Sequence, residues 1–128
     1  MIRLLLITLI LLSSSPAFAE WVALAENDVY TRYVELDTIR RHGNLVRMWT
    51  LDNYKVSEAE AGDLGSSKTQ VEYNCAEERS RRIESITFSG KMGRGKEGYI
   101  DLEITPWHPI SSRIAADRAI WKFACAMK

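Results

Sequence analysis

The stretch from Lys68 to Cys75 constrains this chain more than any other, because it alternates without a break. Thr69, Val71, Tyr73 and Cys75 fall on one side, and Lys68, Gln70, Glu72 and Asn74 on the other. A period of two marks a β-strand with one face buried and one face wet. The buried side ends on one of only two cysteines; the other, Cys125, stands almost at the C-terminal end. The last stretch repeats at helical spacing from a Ser111 or Ser112 cap to about Ala126. Ile114, Trp121 and Cys125 share one line, and Ala116, Ile120, Phe123, Ala124 and Met127 widen it to a broad apolar arc. The two periodicities independently aim both thiols inward.

The N-terminal residues read as a targeting segment. Arg3 supplies a positive start, Leu4 to Leu12 is apolar apart from Thr8, and Ala17-Phe18-Ala19 is a small-residue cleavage site. The apolar run is well short of the roughly 20 residues that a membrane-spanning helix needs. Residues 1–19 are therefore expected to be a signal peptide, and residues 20–128 one small domain. The residue after the cut is Glu20, not Cys, so no lipid is attached there. The expected location is the periplasm or the cell surface. In such an oxidising compartment two cysteines read as one bridge, Cys75 to Cys125. The whole chain has zero formal net charge, and loss of Arg3 leaves one more acidic than basic group. That balance argues against a nucleic-acid binder, which carries a basic stripe.

Six strands are expected along the remainder. Glu20–Ala25 begins with Trp21, and Asn27-Asp28 then turns the chain into Val29–Leu36. Asp37 can cap one helical turn to Arg40. Leu45–Tyr54 sends Val46 and Met48 one way and Leu45, Trp49 and Leu51 the other. The polar segment 55–67 reads as a loop. The alternating strand follows, then Ser80–Ser89, a flexible basic turn over 89–96, and Gly98–Ile104 with Ile100, Leu102 and Ile104 on its buried face. Trp107 to Ile110 makes a stiff crossing to the helix. Asp117 falls inside the apolar arc and needs a partner, for which Arg113 is the nearest choice. Hairpin-like spacing argues an antiparallel meander. The fold class is α+β: an antiparallel sheet of about six strands, with a C-terminal helix packed on one face and held by the disulfide.

Residues that could carry chemistry are few. His42 sits in a polar turn and His108 between Trp107 and Pro109; without a His-x-x-x-His or a second cysteine pair they read as a surface and a packing residue, not as zinc ligands. No Gly-x-Ser-x-Gly elbow occurs, and a hydrolytic site would have to be built around His108 and Asp101. The Gly90–Gly95 turn lacks the Gly-Lys-Ser/Thr ending of a phosphate loop. Trp21, Trp49, Trp107 and Trp121 read as core packing before sugar binding. The remaining feature is basic: Arg79, Arg81 and Arg82, with Lys91, Arg94 and Lys96 in the turn. Such a cluster suits an acidic partner, a glycosaminoglycan or a protein.

Taken in order, these residues resemble the surface-adhesin protein E family. The likeness runs through Trp21, Tyr33, Asp37, Ile39-Arg40, Val46 to Trp49, Leu51-Asp52 and Tyr54. It continues through Ser67-Lys68, Glu72-Tyr73, Cys75, Arg79, Arg81, Ser89, Met92, Gly95, Trp107, Ile110, Ser112 and Cys125. The resemblance implies an antiparallel sheet whose C-terminal helix lies on the concave face under the disulfide. It also implies a non-catalytic binding role at the bacterial surface, towards host matrix or plasma proteins, with no cofactor. The partner is expected to be a protein, an acidic host or envelope component, with a homodimer left open. The alternatives are a periplasmic structural or assembly factor, and a small hydrolase or an inhibitor of one. The processing expectation is tested by intact mass: exported protein should begin at Glu20, and membrane-retained protein still carrying Met1 to Ala19 would refute it.

Overall fold

A computed structural model describes residues 21–55, 64–111 and 115–127. The expected signal segment, most of the 55–67 loop and the start of the last helix, including Arg113 and Ile114, lie outside the described residues. Strands β1 (Trp21–Glu26) and β2 (Tyr30–Glu35) form a hairpin. Its turn is set by Asn27, whose Oδ1 accepts from the backbone N–H groups of Val29 and Tyr30 at 2.8 and 2.9 Å. The expected helical turn after β2 is a short 3₁₀ turn, Leu36–Thr38, with no side-chain cap. Strand β3 (Arg40–His42) then pairs with the start of β4 (Leu45–Tyr54). Strands β5 (Ser66–Asn74) and β6 (Arg79–Phe88) follow, then the edge strand β7 (Glu97–Asp101) and the short β8 (His108–Pro109). The sheet is antiparallel, in the order β1-β2-β4-β5-β6-β7, with β8 on β6. The six expected strands are its principal members.

Helix α1 (Ala115–Ala126) lies on the face formed by Val34, Val46, Met48 and Tyr73, burying Ile120 and Ala124 against them. Cys75 and Cys125 are bonded, and both pack on this cluster. The carbonyls of Cys125 and Met127 at the helix end accept from Arg41 Nη1 at 3.1 and 2.9 Å, satisfying orphan groups of the last turn. Towards the other end, Asp117 Oδ1 meets Arg32 Nη1 at 3.1 Å. The partner of Asp117 is thus an arginine from β2, not a neighbour on its own helix.

Three further expectations are corrected. The face opposite the helix is not simply wet: Glu72 lies there only 4 % exposed. Its carboxylate is shared by Arg47 Nε at 2.6 Å and Arg81 Nη2 at 2.6 Å, and Arg81 stacks on Trp107 at 4.5 Å. The basic turn is tied down. A 3₁₀ turn, Lys91–Gly93, folds over β4 and β5, where Met92 N–H donates to Asn53 Oδ1 at 2.8 Å and Gly93 N–H to Ser66 Oγ at 2.8 Å. Lys91 Nζ donates to the Tyr54 carbonyl. Gly65 abuts this turn, and a Cβ there would lie 2.4 Å from the Gly90 carbonyl oxygen. Finally, β7 stops at Asp101, whose Oδ1 accepts from Glu103 N–H at 2.9 Å and turns the chain. Ile100 is exposed because it lies on the face away from the helix, paired with Ile86, and Leu102 and Ile104 because they follow the end of the strand. Of the tryptophans, Trp121 packs on the core cluster as expected, whereas Trp21, Trp49 and Trp107 are half-buried beneath cations.

The bridge closes a separation of 50 residues. Cys125→Ser should lower stability by about 2–5 kcal/mol in a domain this small, as read by urea denaturation. Two freely alkylated thiols in the folded chain would contradict the fold. A second expectation concerns acid. Burial pushes the Glu72 carboxyl up, but hydrogen bonds and charges from Arg47 and Arg81 outweigh it and hold the group below its ordinary value of 4.5. A depressed carboxyl contributes stability that is present above 4.5 and is lost as pH falls through the folded value. Glu72→Gln should therefore cost about 1–3 kcal/mol at neutral pH and flatten the loss of stability below pH 4.5; denaturation midpoints over an acid series would show both.

Candidate functional site

The basic residues singled out in the sequence do not form one cluster. Arg79, Arg81 and Arg82 stand at the start of β6, while Lys91, Arg94 and Lys96 follow its far end. The rise of a strand separates the two groups by on the order of 25 Å. Within the first group the alternation of β6 divides the side chains. Arg81 lies on the face away from the helix, where it serves Glu72. Arg82 lies on the helix side and gives its Nη2 to Asp101 at 2.7 Å. Arg79 is exposed. In the second group Lys91 is folded back onto Tyr54, whereas Arg94 and Lys96 are exposed just before β7. Arg94 and Lys96 thus border the sheet edge, and Arg79 borders its other end, where β8 pairs.

That edge, with the segment after it, carries four of the seven large apolar residues exposed among the described residues. Strand β7 bonds only to β6 among the described strands. Tyr99 is 71 % exposed and Leu102 68 %, with Ile100 and Ile104 about half exposed. Exposed apolar side chains on an open strand and in the segment just after it mark a place where another chain can add.

A second feature is a cleft of about 360 Å³ on the helix side of the sheet. α1 covers only part of this face, and the cleft occupies what it leaves, between Asp117, the sheet and the crossing over 105–110. One wall is the ion-paired set Arg32, Asp52 and Asp117. Arg32 Nε and Nη2 meet the two oxygens of Asp52 at 2.6 and 2.9 Å, a bidentate pair. Burial works against the Arg32 charge, but Asp52, with help from Tyr30 and Asp117, more than offsets it and raises the pKa. Tyr73 lies buried beside this set, and burial first of all raises its phenol pKa. The other wall is Ser80, Arg82, Thr105 and His108. His108 makes no hydrogen bond to a carboxylate or hydroxyl among the described residues. Asp101, its imagined partner in a hydrolytic site, is engaged by Arg82. His42 is exposed on β3.

The cleft was not foreseen, yet part of its signal is in the sequence. In β2, Arg32 shares parity with the buried Val34; in β4, Asp52 shares parity with Val46 and Met48. Opposite charges on the buried parity of two adjacent strands predict an internal pair.

Comparison with curated protein sequences finds no match. Among solved structures the fold is similar to that of Haemophilus influenzae protein E. One crystal form superposes with a TM-score of 0.65 at 14% identity, covering 85% of this chain and 89% of that one. Another structure of that protein gives 0.63 at 13% identity, covering 85% and 86%. Protein E from non-typeable Haemophilus influenzae gives 0.60 at 14% identity, covering 87% and 80%. At such identities the likeness is one of fold. The family model for surface-adhesin protein E matches residues 21–126, nearly all of the described sheet and helix, and the chain belongs to the surface-adhesin protein E family.

Proposed function

We propose that the chain is an exported, non-catalytic binding protein of the bacterial envelope. It takes protein partners, host matrix or plasma proteins among them, along the open β7 edge. The observation that carries this reading is the set of exposed apolar residues at this edge, Tyr99 and Ile100 on a strand bonded on one side only and Leu102 and Ile104 in the segment that follows it. An apolar centre with a charged rim is the ordinary anatomy of a protein interface. Here the rim is Arg94 and Lys96 at one end of the edge and Arg79 at the other. The partner that fits is an extended apolar segment bordered by acidic residues, added as a further strand.

Several observations support this reading. Family membership favours adhesion, and an Ala17-Phe18-Ala19 site just before the domain favours export. The cleft carboxylates are engaged by arginines, Asp52 and Asp117 with Arg32, which favours binding over acid–base chemistry. A symmetric dimer through this edge is disfavoured. Antiparallel self-pairing centred on Tyr99 would set Glu97 opposite Asp101, and like charges directly opposite are destabilising. A periplasmic assembly role would use the same edge, and location separates the two: protease should reach the domain on intact cells if it is an adhesin, whereas a shielded soluble pool would support assembly.

The edge is tested with the mature chain against immobilised host matrix and plasma proteins. Leu102→Ser with Ile104→Ser should weaken binding by roughly tenfold or more. Arg94→Glu with Lys96→Glu should weaken it and remove most of its salt sensitivity. None of the four is buried, so melting should change little. Unchanged affinity in both double variants would place the site elsewhere.

A further inference from the structure

The face of the sheet away from the helix carries a row of arginines that its carboxylate does not balance. Register builds the row. Arg40 of β3 pairs with Arg47 of β4, Arg47 with Glu72 of β5, and Glu72 with Arg81 of β6. Ser80 pairs with His108, so Arg81 stands beside Trp107 at the entry to β8, and its guanidinium stacks on that ring. Five strands about 4.8 Å apart make a band about 19 Å long. Arg79, two residues before Arg81 and paired with Asn74, adds a fourth guanidinium on the same face. Glu72 is the one carboxylate in the row, and both its oxygens are taken, Oε2 by Arg47 Nε and Oε1 by Arg81. Arg40 and Arg79 are exposed and form no ion pair among the described residues. Arg40 gives Nη1 to the carbonyls of Asp37 and Ile39, which fixes it without neutralising it. The Nη groups of Arg47 make no hydrogen bond among the described residues, and its side chain is 45 % exposed. Arg40 and Arg47 are like charges directly opposite on neighbouring strands. That arrangement costs stability, and an anion lying between them relieves it.

We propose that this row binds a linear, densely sulfated polysaccharide, whose sulfate groups accept from Arg40, Arg47 and Arg79 as the chain crosses the strands. Guanidinium groups hold such oxyanions through paired hydrogen bonds, and four of them against one carboxylate call for closely spaced anions. The neighbouring rows decide what carries those anions. One is Leu45, Asn74 and Arg79, the other Trp49, Gln70 and Glu84, and none of these is an exposed large apolar residue. A lipid surface is engaged by apolar insertion together with charge, and a protein interface has an apolar centre; this band offers neither. Nucleic acid is disfavoured by the zero formal net charge of the chain. A polysaccharide is polar throughout and linear, as the band is. The row includes no residue of β7, so it stands whether or not that edge binds a partner.

The test titrates the folded chain with heparin, uncharged dextran, phosphatidylglycerol vesicles and a DNA duplex over a salt series, read by calorimetry. Heparin should bind saturably and most tightly, with log K falling linearly in log salt, as counterion release from a polyanion requires. Arg79 makes no side-chain hydrogen bond among the described residues. Arg79→Ser should therefore lower that slope by about one and leave the fold intact by circular dichroism. Adding Arg40→Ser should lower it by about one more. Lys122→Ser removes the same charge from the exposed side of α1 and should leave the slope as it is. Equal effects of Lys122→Ser and Arg79→Ser would reduce the row to diffuse attraction and overturn the proposal. Absence of saturable heparin binding, dextran binding as heparin does, or vesicles or DNA binding more tightly than heparin would overturn it too. An unchanged slope in the double variant would remove the site from this face.

Discussion

One helix on a wide sheet is held by two attachments of different kinds. The disulfide joins the C-terminal end of α1 to the end of β5, and the Arg32–Asp117 pair joins its N-terminal half to β2. Between them the apolar core is small: Val34, Val46, Met48, Tyr73, Ile120 and Ala124. So little buried surface leaves a domain of this size marginal, which makes the covalent attachment a large share of its stability. The same shortage of cover shapes the remainder of the concave face. Twelve helical residues span only about 18 Å, so among the described residues the sheet beyond Asp117 is roofed by the 105–110 crossing. The polar cleft lies there.

The convex face solves a different problem, since no second layer covers it among the described residues. Its aromatic rings are shielded by cations. Lys68 Nζ lies 5.3 and 5.2 Å from the rings of Trp21 and Trp49, and Arg81 lies over Trp107. Desolvated cation–π contacts of this kind are worth up to about 2 kcal/mol each. Glu72 sits beneath two guanidinium groups and so adds no unpaired charge. The Lys91–Gly93 turn closes over Leu51, which is fully buried on this face. Arg47, Lys68 and Arg81 thus cover the sheet with their stems and neutralise or stack with their heads.

The sequence made the periodic features legible and left the contextual ones hidden. Alternation in Lys68–Cys75, the helical arc ending at Cys125 and the hairpin spacing lead directly to the sheet, the helix and the bridge. Alternation also misleads at Ile100, Leu102 and Ile104. A period of two says neither which face the helix will cover nor where the strand ends: Ile100 lies on the face away from α1, and Leu102 and Ile104 lie past Asp101. Glu72 was misplaced for the reverse reason, since its burial depends on Arg47 and Arg81 arriving from neighbouring strands. The basic turn looked loose because glycines and lysines in sequence do not reveal that Asn53 and Ser66 await their backbone N–H groups. The cleft was half visible, in the parity of Arg32 and Asp52. Its other half depends on the 105–110 crossing, which no periodicity announces.

The edge and the cleft are built on one strand pair, and Asp101 is where they meet. It ends β7, turns the chain through Glu103 N–H, and holds Arg82 on the cleft side of β6. The backbone continues the same connection, with Thr105 N–H on the Arg82 carbonyl and the Arg82 N–H on Thr105 Oγ1. The exposed segment from Leu102 to Ile104 is therefore anchored at both ends to the residues that frame the cleft. A loose apolar edge pairs with anything extended, and anchoring of this kind restrains it. Fixed ends limit which extended backbones can register beside it, so the anchoring restrains indiscriminate pairing more than the apolar side chains themselves do.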